Sequence, residues 1–446
     1  VKDQRSHSVQ TGPRAVTHAI IGAALATACL AVGLVTAGAA WGAPGEVVWQ
    51  RLSQGVPGGA DEYRALAVTT TGTAYAAGSV TPREAAAADV LLVKHRLADG
   101  RPLWTRSWTY PGRSEDVALD VVRDRRGSII VAGSSGRCWL LLKYSAAGYL
   151  QWVRRGRGPY NQCGLTAVAV DGPGNVYATG SATPAGGKRR ILTVKYSSAG
   201  TFRWRTTAWS DAVDSHGTDI VTGGRDVYVT GVIGTGAGKC TTIRYSGLGK
   251  NRWQRTIDDD PSESTAGVAI GYAAGPIVMG ISTAADTRSD GFVVRYTATG
   301  AEQWVAGHVG PFDLGDRFNA MAVDGSGRVT VTGTRRTGAG EEMFTVGFSA
   351  LGSAEWEHAV AGATEGFAVC RAGSGACYSA GGAASLVVSQ DTPAGLPGWQ
   401  TPFSRIGFTG FRPTAAQAAG DTAVYVVGSA APSGGGTAAM IVRYRP

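Results

Sequence analysis

Eight times along this chain a β-rich phrase closes on a glycine, at Gly78, Gly133, Gly180, Gly231, Gly280, Gly333, Gly381 and Gly428. The phrases are alike (AYAAG, IIVAG, VYATG, VYVTG, PIVMG, VTVTG, CYSAG, VYVVG) and recur every 47 to 55 residues. A period of that length excludes ankyrin and tetratricopeptide helices and suits a unit of four strands. Each unit continues with a third apolar strand, such as LLVKH or FVVRY. Most units then pass through a Gly-bearing turn to a tryptophan: Trp104, Trp152, Trp204, Trp253, Trp304, Trp356 and Trp399, with Trp49 ahead of the first repeat. The last repeat stops at its third strand, Met440–Tyr444, whereas Val47-Val48-Trp49-Gln50 reads as a fourth strand with no first three. The N-terminal strand is therefore expected to complete the last blade and close a ring. The fold class that follows is all-β: an eight-bladed β-propeller of four-stranded blades, in which residues 44–446 form one domain and closure leaves no long free sheet edge. With 66 Gly, 43% hydrophobic and 17% charged residues, the chain is too apolar for disorder and too glycine-rich for a helical protein.

Lys2, Arg5 and Arg14 precede an apolar run from Ala19 to Ala40 that ends in small residues. This reads as a secretory signal over residues 1–43, cleaved after Ala39 or Ala43, with a retained N-terminal anchor as the alternative. Cys29 sits within the run rather than at its end and lacks the Leu that opens a lipobox, which argues against lipidation. No second apolar segment of membrane length follows, so the mature protein is expected to be secreted, extracellular or at the cell surface, and free of the membrane. The net charge of +9 comes from bases spread among the repeats, which argues against a nucleic-acid partner.

The phrase AVDGPGNVYATG (Ala169 to Gly180) and its copy AVDGSGRVTVTG (Ala322 to Gly333) resemble the bacterial β-propeller repeat family abbreviated SBBP. VVRYTATGAEQW (Val293 to Trp304) resembles the tryptophan repeat of quinoprotein (PQQ)-like eight-bladed propellers. The resemblance covers nearly all of the chain after the signal, strongly in blades 3 and 6 and weakly in blade 7. It implies an exported propeller without a shared activity, and the quinoprotein side implies an oxidoreductase using pyrroloquinoline quinone. The adjacent Cys pair that many such alcohol dehydrogenases carry is missing.

Seventeen residues before the phrase glycines stand Asp61, Asp116, Cys163, Asp214, Glu263, Asp316, Thr364 and Phe411. Oxygen ligands ringed about a channel mouth would suit Ca²⁺. The competing reading pairs each acid with the third-strand base of the preceding blade: Lys94 with Asp116, Lys195 with Asp214, Arg244 with Glu263, Arg295 with Asp316, and Arg443 with Asp61. Blades with Gly347 or Ser389 in the basic position face Thr364 or Phe411, which are not acids. Interblade salt bridges are the expectation, and only Lys143, opposite Cys163, breaks the pattern.

A tryptophan recurring once per blade is read as packing, whereas Trp139 and Trp209 escape the repeat and are the ligand-binding candidates. His216 joins them, lying in a polar loop with acids that could orient an imidazole. Asp258, Asp259 and Asp260 are a weak cation candidate. The glycines are assigned to hairpins. No GxSxG, HExxH, P-loop or paired CxxC motif occurs. In an oxidising compartment Cys370 could bridge to Cys377 and Cys138 to Cys163, leaving Cys240 free. The leading expectation is a monomeric, non-enzymatic binding or scaffold propeller for an extracellular glycan or protein, with no cofactor assigned. The alternatives are an enzyme at the central channel, either a quinoprotein-like oxidoreductase or a polysaccharide hydrolase or lyase, and a purely structural envelope protein.

Overall fold

The computed structural model describes residues 29–30, 43–54, 59–82, 87–112, 114–209, 214–235, 237–257, 264–283, 289–308, 315–382 and 384–446. Every regular element among them is a β-strand. The strands form eight antiparallel sheets, each built from four strands adjacent in the chain except the last. There Phe408–Ala418, Val424–Pro432 and Ala438–Tyr444 are completed by Val47–Gln54, with Trp49 opposite Arg443. The ring closes as the repeat phasing requires, and a two-residue strand, Cys29–Leu30, adds against Ser53 and Gln54 on the outer edge of this blade. The rest of residues 1–42, most of the expected signal, lies outside the described residues.

The eight phrase glycines sit inside second strands, not in hairpins. Each faces a one-residue bulge in its first strand, as between Tyr63 and Ala65, Ala118 and Asp120, or Phe318 and Ala320. The bulge pushes a carbonyl into the space a side chain would need. A Cβ on Gly133 would lie 1.8 Å from the Val117 oxygen, and one on Gly78 or Gly333 1.9 Å from the oxygens of Glu62 and Arg317. The repeat glycine therefore marks a kinked inner strand along the channel wall.

At the outer rim, the turn between the third and fourth strands of each blade docks on the tryptophan of the preceding blade. Its glycine has positive φ, and a Cβ there would fall 2.1 to 3.0 Å from the indole ring in all eight cases. In six joints the indole Nε1 and the third-strand base donate to one and the same turn carbonyl. Trp104 and Lys94 share the Ala146 oxygen at 3.2 and 2.9 Å, and Trp204 and Lys195 share that of Gly247 at 3.1 and 2.7 Å. Trp49 and Arg443, from the two ends of the chain, meet on Leu97 in the same way.

This rim geometry corrects the expected ion pairs. Strands alternate in direction, so the third-strand bases lie at the lower end of each blade, with the strand 1–2 and 3–4 turns. The acids lie at the upper end, where blades connect. In blade 2, Asp116 pairs in register with Ser135, opposite Cys138, and Lys143 lies five residues further along, about 17 Å at 3.3 Å per residue. Lys94, Lys195, Arg295 and Arg443 accordingly bind carbonyls of the next blade's turn. Their assigned acids serve the upper loops: Asp61 accepts from Thr81 N, Asp116 from Tyr110 N and Ser114 Oγ, and Asp214 from Arg189 N, while Asp316 lies 3.2 Å from His308 Nδ1. Arg244 pairs with Asp226 of its own blade, and Glu263 lies outside the described residues. Lys143, the apparent exception, forms a buried pair with Asp124 at 2.9 Å.

All five cysteines after the signal are free thiols, so neither expected bridge is formed. Cys370 pairs across the ladder with Tyr378 and Arg371 with Cys377. The two cysteines are one register step apart and face opposite sides of the sheet, which no disulfide can span. Cys163 instead aims its sulfur at the carbonyl oxygens of Arg137 and Gly156, 3.5 and 3.6 Å away, and burial pushes its thiol pKa up to about 11.

Candidate binding face and channel

The first strands line the channel, and their bulges point short polar side chains at the next blade. Thr166 Oγ1 donates to Gly217 O at 2.9 Å, Asn319 Nδ2 to Gly366 O at 2.9 Å and Thr414 Oγ1 to Tyr63 O at 2.7 Å. Two blades place a carboxylate one residue further on. Asp120 accepts from Val121 N and, across the gap, from Val168 N at 2.8 Å. Asp219 accepts from Ile220 N and from Ile270 N of the next blade at 2.9 Å. Enclosure by the channel wall raises both pKa values against the pull of those N–H groups, to about 6 for Asp120 and about 7 for Asp219, where the nearby charge of Asp120 adds to the rise. Among the described residues no group of three or more His, Cys, Asp or Glu side chains is arranged to hold a metal ion. The channel carboxylates spend oxygens on these backbone N–H groups.

The upper face of blades 2 to 4 is different. Tyr110 and Trp209 stand 42% and 44% exposed on the loops leaving blades 1 and 3. Each carries a guanidinium on its ring, Arg155 at 3.7 Å over Tyr110 and Arg190 at 4.1 Å over Trp209. Arg137, Arg157, Lys188 and Arg189 flank them on the adjoining upper loops, all at least partly exposed. The sequence gives little warning of this patch, because its bases come from three separate loops and gather only when blades 2 and 3 sit side by side.

His216 belongs to the same cluster. Burial and the neighbouring Arg189 lower its pKa, with Asp214 opposing. Its Nδ1, together with Arg189 Nε and Arg190 Nε, is buried with no hydrogen-bond partner among the described residues. Trp209 lies on the loop leaving blade 3, and His216 opens the first strand of blade 4. Trp139 is a buried core residue whose Nε1 donates to Tyr196 Oη at 3.2 Å and whose ring fills the space left open by Gly156. Asp258, Asp259 and Asp260 lie outside the described residues. A second polar cluster, on blades 5 and 6, holds His308 between Asp316 and Glu357, with Arg335 on Glu357. Burial opposes the charge on His308, but the two carboxylates outweigh it and hold its pKa up at about 9. These groups are spent on one another, and we read them as structural.

The class defined by this architecture is the eight-bladed β-propeller. Among solved structures the chain is similar to a europium-containing methanol dehydrogenase, with a TM-score of 0.54 and 11% identity over 89% of this chain and 93% of that one. It is also similar to the polysaccharide lyase Uly1, with a TM-score of 0.49 and 10% identity over 76% of this chain and 91% of that one. Likeness at this level of identity speaks for the fold alone. No family model and no curated protein matches the chain, so the SBBP resemblance rests on the phrases quoted above.

Proposed function

We propose that the protein is an extracellular, non-enzymatic binding propeller whose upper face on blades 2 to 4 takes an anionic polysaccharide. The observation that carries this reading is the pair of exposed rings, Tyr110 and Trp209, each backed by an arginine within 4.1 Å and set among further bases. A uronate-containing chain presents apolar sugar faces and carboxylates in alternation. Aromatic rings meet the first and guanidinium forks the second. The apolar run before the propeller supports an extracellular site of action. Affinity electrophoresis in gels containing polygalacturonate, with neutral dextran as control, tests the proposal. Retardation by the acidic polymer alone is expected, and it should be lost in Trp209→Ala and Arg190→Ala; equal retardation by both polymers would refute it.

A second reading, an enzyme at the channel, is favoured by Asp120 and Asp219, two carboxyl groups whose raised pKa values suit proton transfer near neutral pH. Release of reducing ends or of unsaturated uronate absorbance from the same polymer would put it first, provided Asp219→Asn abolishes the release.

A further inference from the structure

The exposed apolar side chains of this propeller are not scattered. Seven of the eleven large ones recorded among the described residues sit on the turns between third and fourth strands or on the first residues after them: Leu103, Tyr149, Leu150, Phe202, Leu248, Leu351 and Leu396. Each lies one to five residues before its blade's rim tryptophan, at the end of the blade that carries the turns between third and fourth strands, so all seven lie along the lower outer rim. The turns are held there by tryptophan docking, which needs only the glycine and the carbonyl and gives no structural reason for an apolar residue to face water. Blades 1 to 4 carry five of them, between 45% and 89% exposed.

Charge selects what covers this arc. Arg101, Arg203, Lys250 and Arg252 are interleaved with the apolar residues and exposed. The one acid on the same four turns, Asp99, is held by Arg96 and Arg101. On the other side of the ring Glu302 and Glu355 stand on the turns of blades 5 and 6, so the exposed Leu351 and Leu396 of blades 6 and 7 lack the basic neighbours that blades 1 to 4 supply. We infer that the lower rim of blades 1 to 4 docks on a bilayer surface containing anionic lipid. Leucine and aromatic side chains enter the headgroup boundary and the bases meet lipid phosphates. Docked this way, the protein turns the upper face with Tyr110 and Trp209 away from the membrane. Sequence reading missed the surface because each blade supplies only one or two of its residues.

The test uses the full chain with vesicles of phosphatidylcholine alone or mixed equally with phosphatidylglycerol. The apolar run of residues 19–40 is able to hold the chain on lipid by itself, so the readout is hydrogen exchange at the rim turns. Mixed vesicles should slow exchange at residues 146–150, 199–203 and 247–251 and leave the upper loop 185–189 unchanged. Phe202→Ser with Leu248→Ser should remove that protection. Arg203→Gln with Arg252→Gln should weaken the docking that this protection reports by about twenty-fivefold, at about fivefold per base. These side chains are exposed, and unchanged melting curves would show that the variants fold. Binding to vesicles without protection of the turns would overturn the inference. So would protection that appears without lipid as protein concentration rises, since a second copy would then be the occupant.

Discussion

The joint between blades 4 and 5 and the joint between blades 6 and 7 fasten the same repeat to its next copy by different chemistry. At the first, Trp253 and Arg244 both donate to the Ala298 carbonyl, and ten buried residues from Val221 to Tyr296 form one apolar cluster. At the second, Gly347 stands where the base would be, and the Trp356 ring leans over it and stacks on His358 with centroids 5.5 Å apart. The apolar contact there is split into clusters of four and three residues. Between them Thr345, Ser379 and Ser389 hydrogen-bond to one another, and Arg371 reaches Thr330 and Asp324. Exchanging water for internal partners leaves such polar contacts little net gain, whereas apolar burial adds with area. The ring should therefore open first between blades 6 and 7.

The largest effect follows from this contrast. Trp253→Ala removes a buried ring and one of the two donors on the Ala298 carbonyl, and should cost about 3–5 kcal/mol in urea unfolding. Trp356→Ala removes a half-buried ring whose Nε1 has no acceptor among the described residues, and should cost under about 2 kcal/mol. Equal losses would mean that the clamp adds nothing to ring packing. Hydrogen exchange gives an independent reading, with the first strand of blade 7 exchanging ahead of that of blade 5.

The same contrast explains what was legible in the sequence. Trp and turn glycine recur at every joint, and the third-strand base at six of the eight, so strand count and ring closure could be read from spacing alone. The co-occurrence of missing bases and missing acids was noticed correctly and explained wrongly. Where Gly347 replaces the base, Trp356 takes its space, and the acids at the opposite end of the blade play no part. Of the two off-repeat tryptophans offered as ligand-binding candidates, Trp209 is 44% exposed. Trp139 shows the limit, since Gly156, its register partner on the adjacent strand of the same blade, leaves the space that turns an unrepeated ring into core. The stacked pairs of the upper face were not legible at all: Tyr110 and Arg155 lie in different blades, and no local pattern announces their contact.

Acidity separates the two joints further. Asp219 ties blade 4 to blade 5, whereas Asn319, which does not titrate, ties blade 6 to blade 7. A carboxyl whose pKa is higher folded than unfolded holds its proton more tightly in the native state. Its contribution is fully present below the usual carboxylate range and is lost as pH rises through the folded value, about 7 for Asp219. Between roughly pH 5 and pH 8 the wild-type protein should lose stability that Asp219→Asn does not lose, a difference on the order of 2 kcal/mol. Asn319→Ala should lower stability by the same amount at both ends of that range. A parallel pH slope in Asp219→Asn would show that this carboxyl titrates normally.

The smallest effect tests the polar joint from inside. Ser379→Ala alone leaves the hydroxyls of Thr345 and Ser389 without the partner they now share, and should cost about 1–2 kcal/mol. Replacing the whole group by Thr345→Val, Ser379→Ala and Ser389→Ala removes donors and acceptors together, keeps the volume nearly constant and leaves Thr332 its bond to the Phe344 carbonyl. That triple variant should be as stable as the wild type to within about 1 kcal/mol, so the single change is worse than the three combined. If the three losses instead add up, the hydroxyl chain is a net source of stability, and the joint between blades 6 and 7 is not the weak point of the ring.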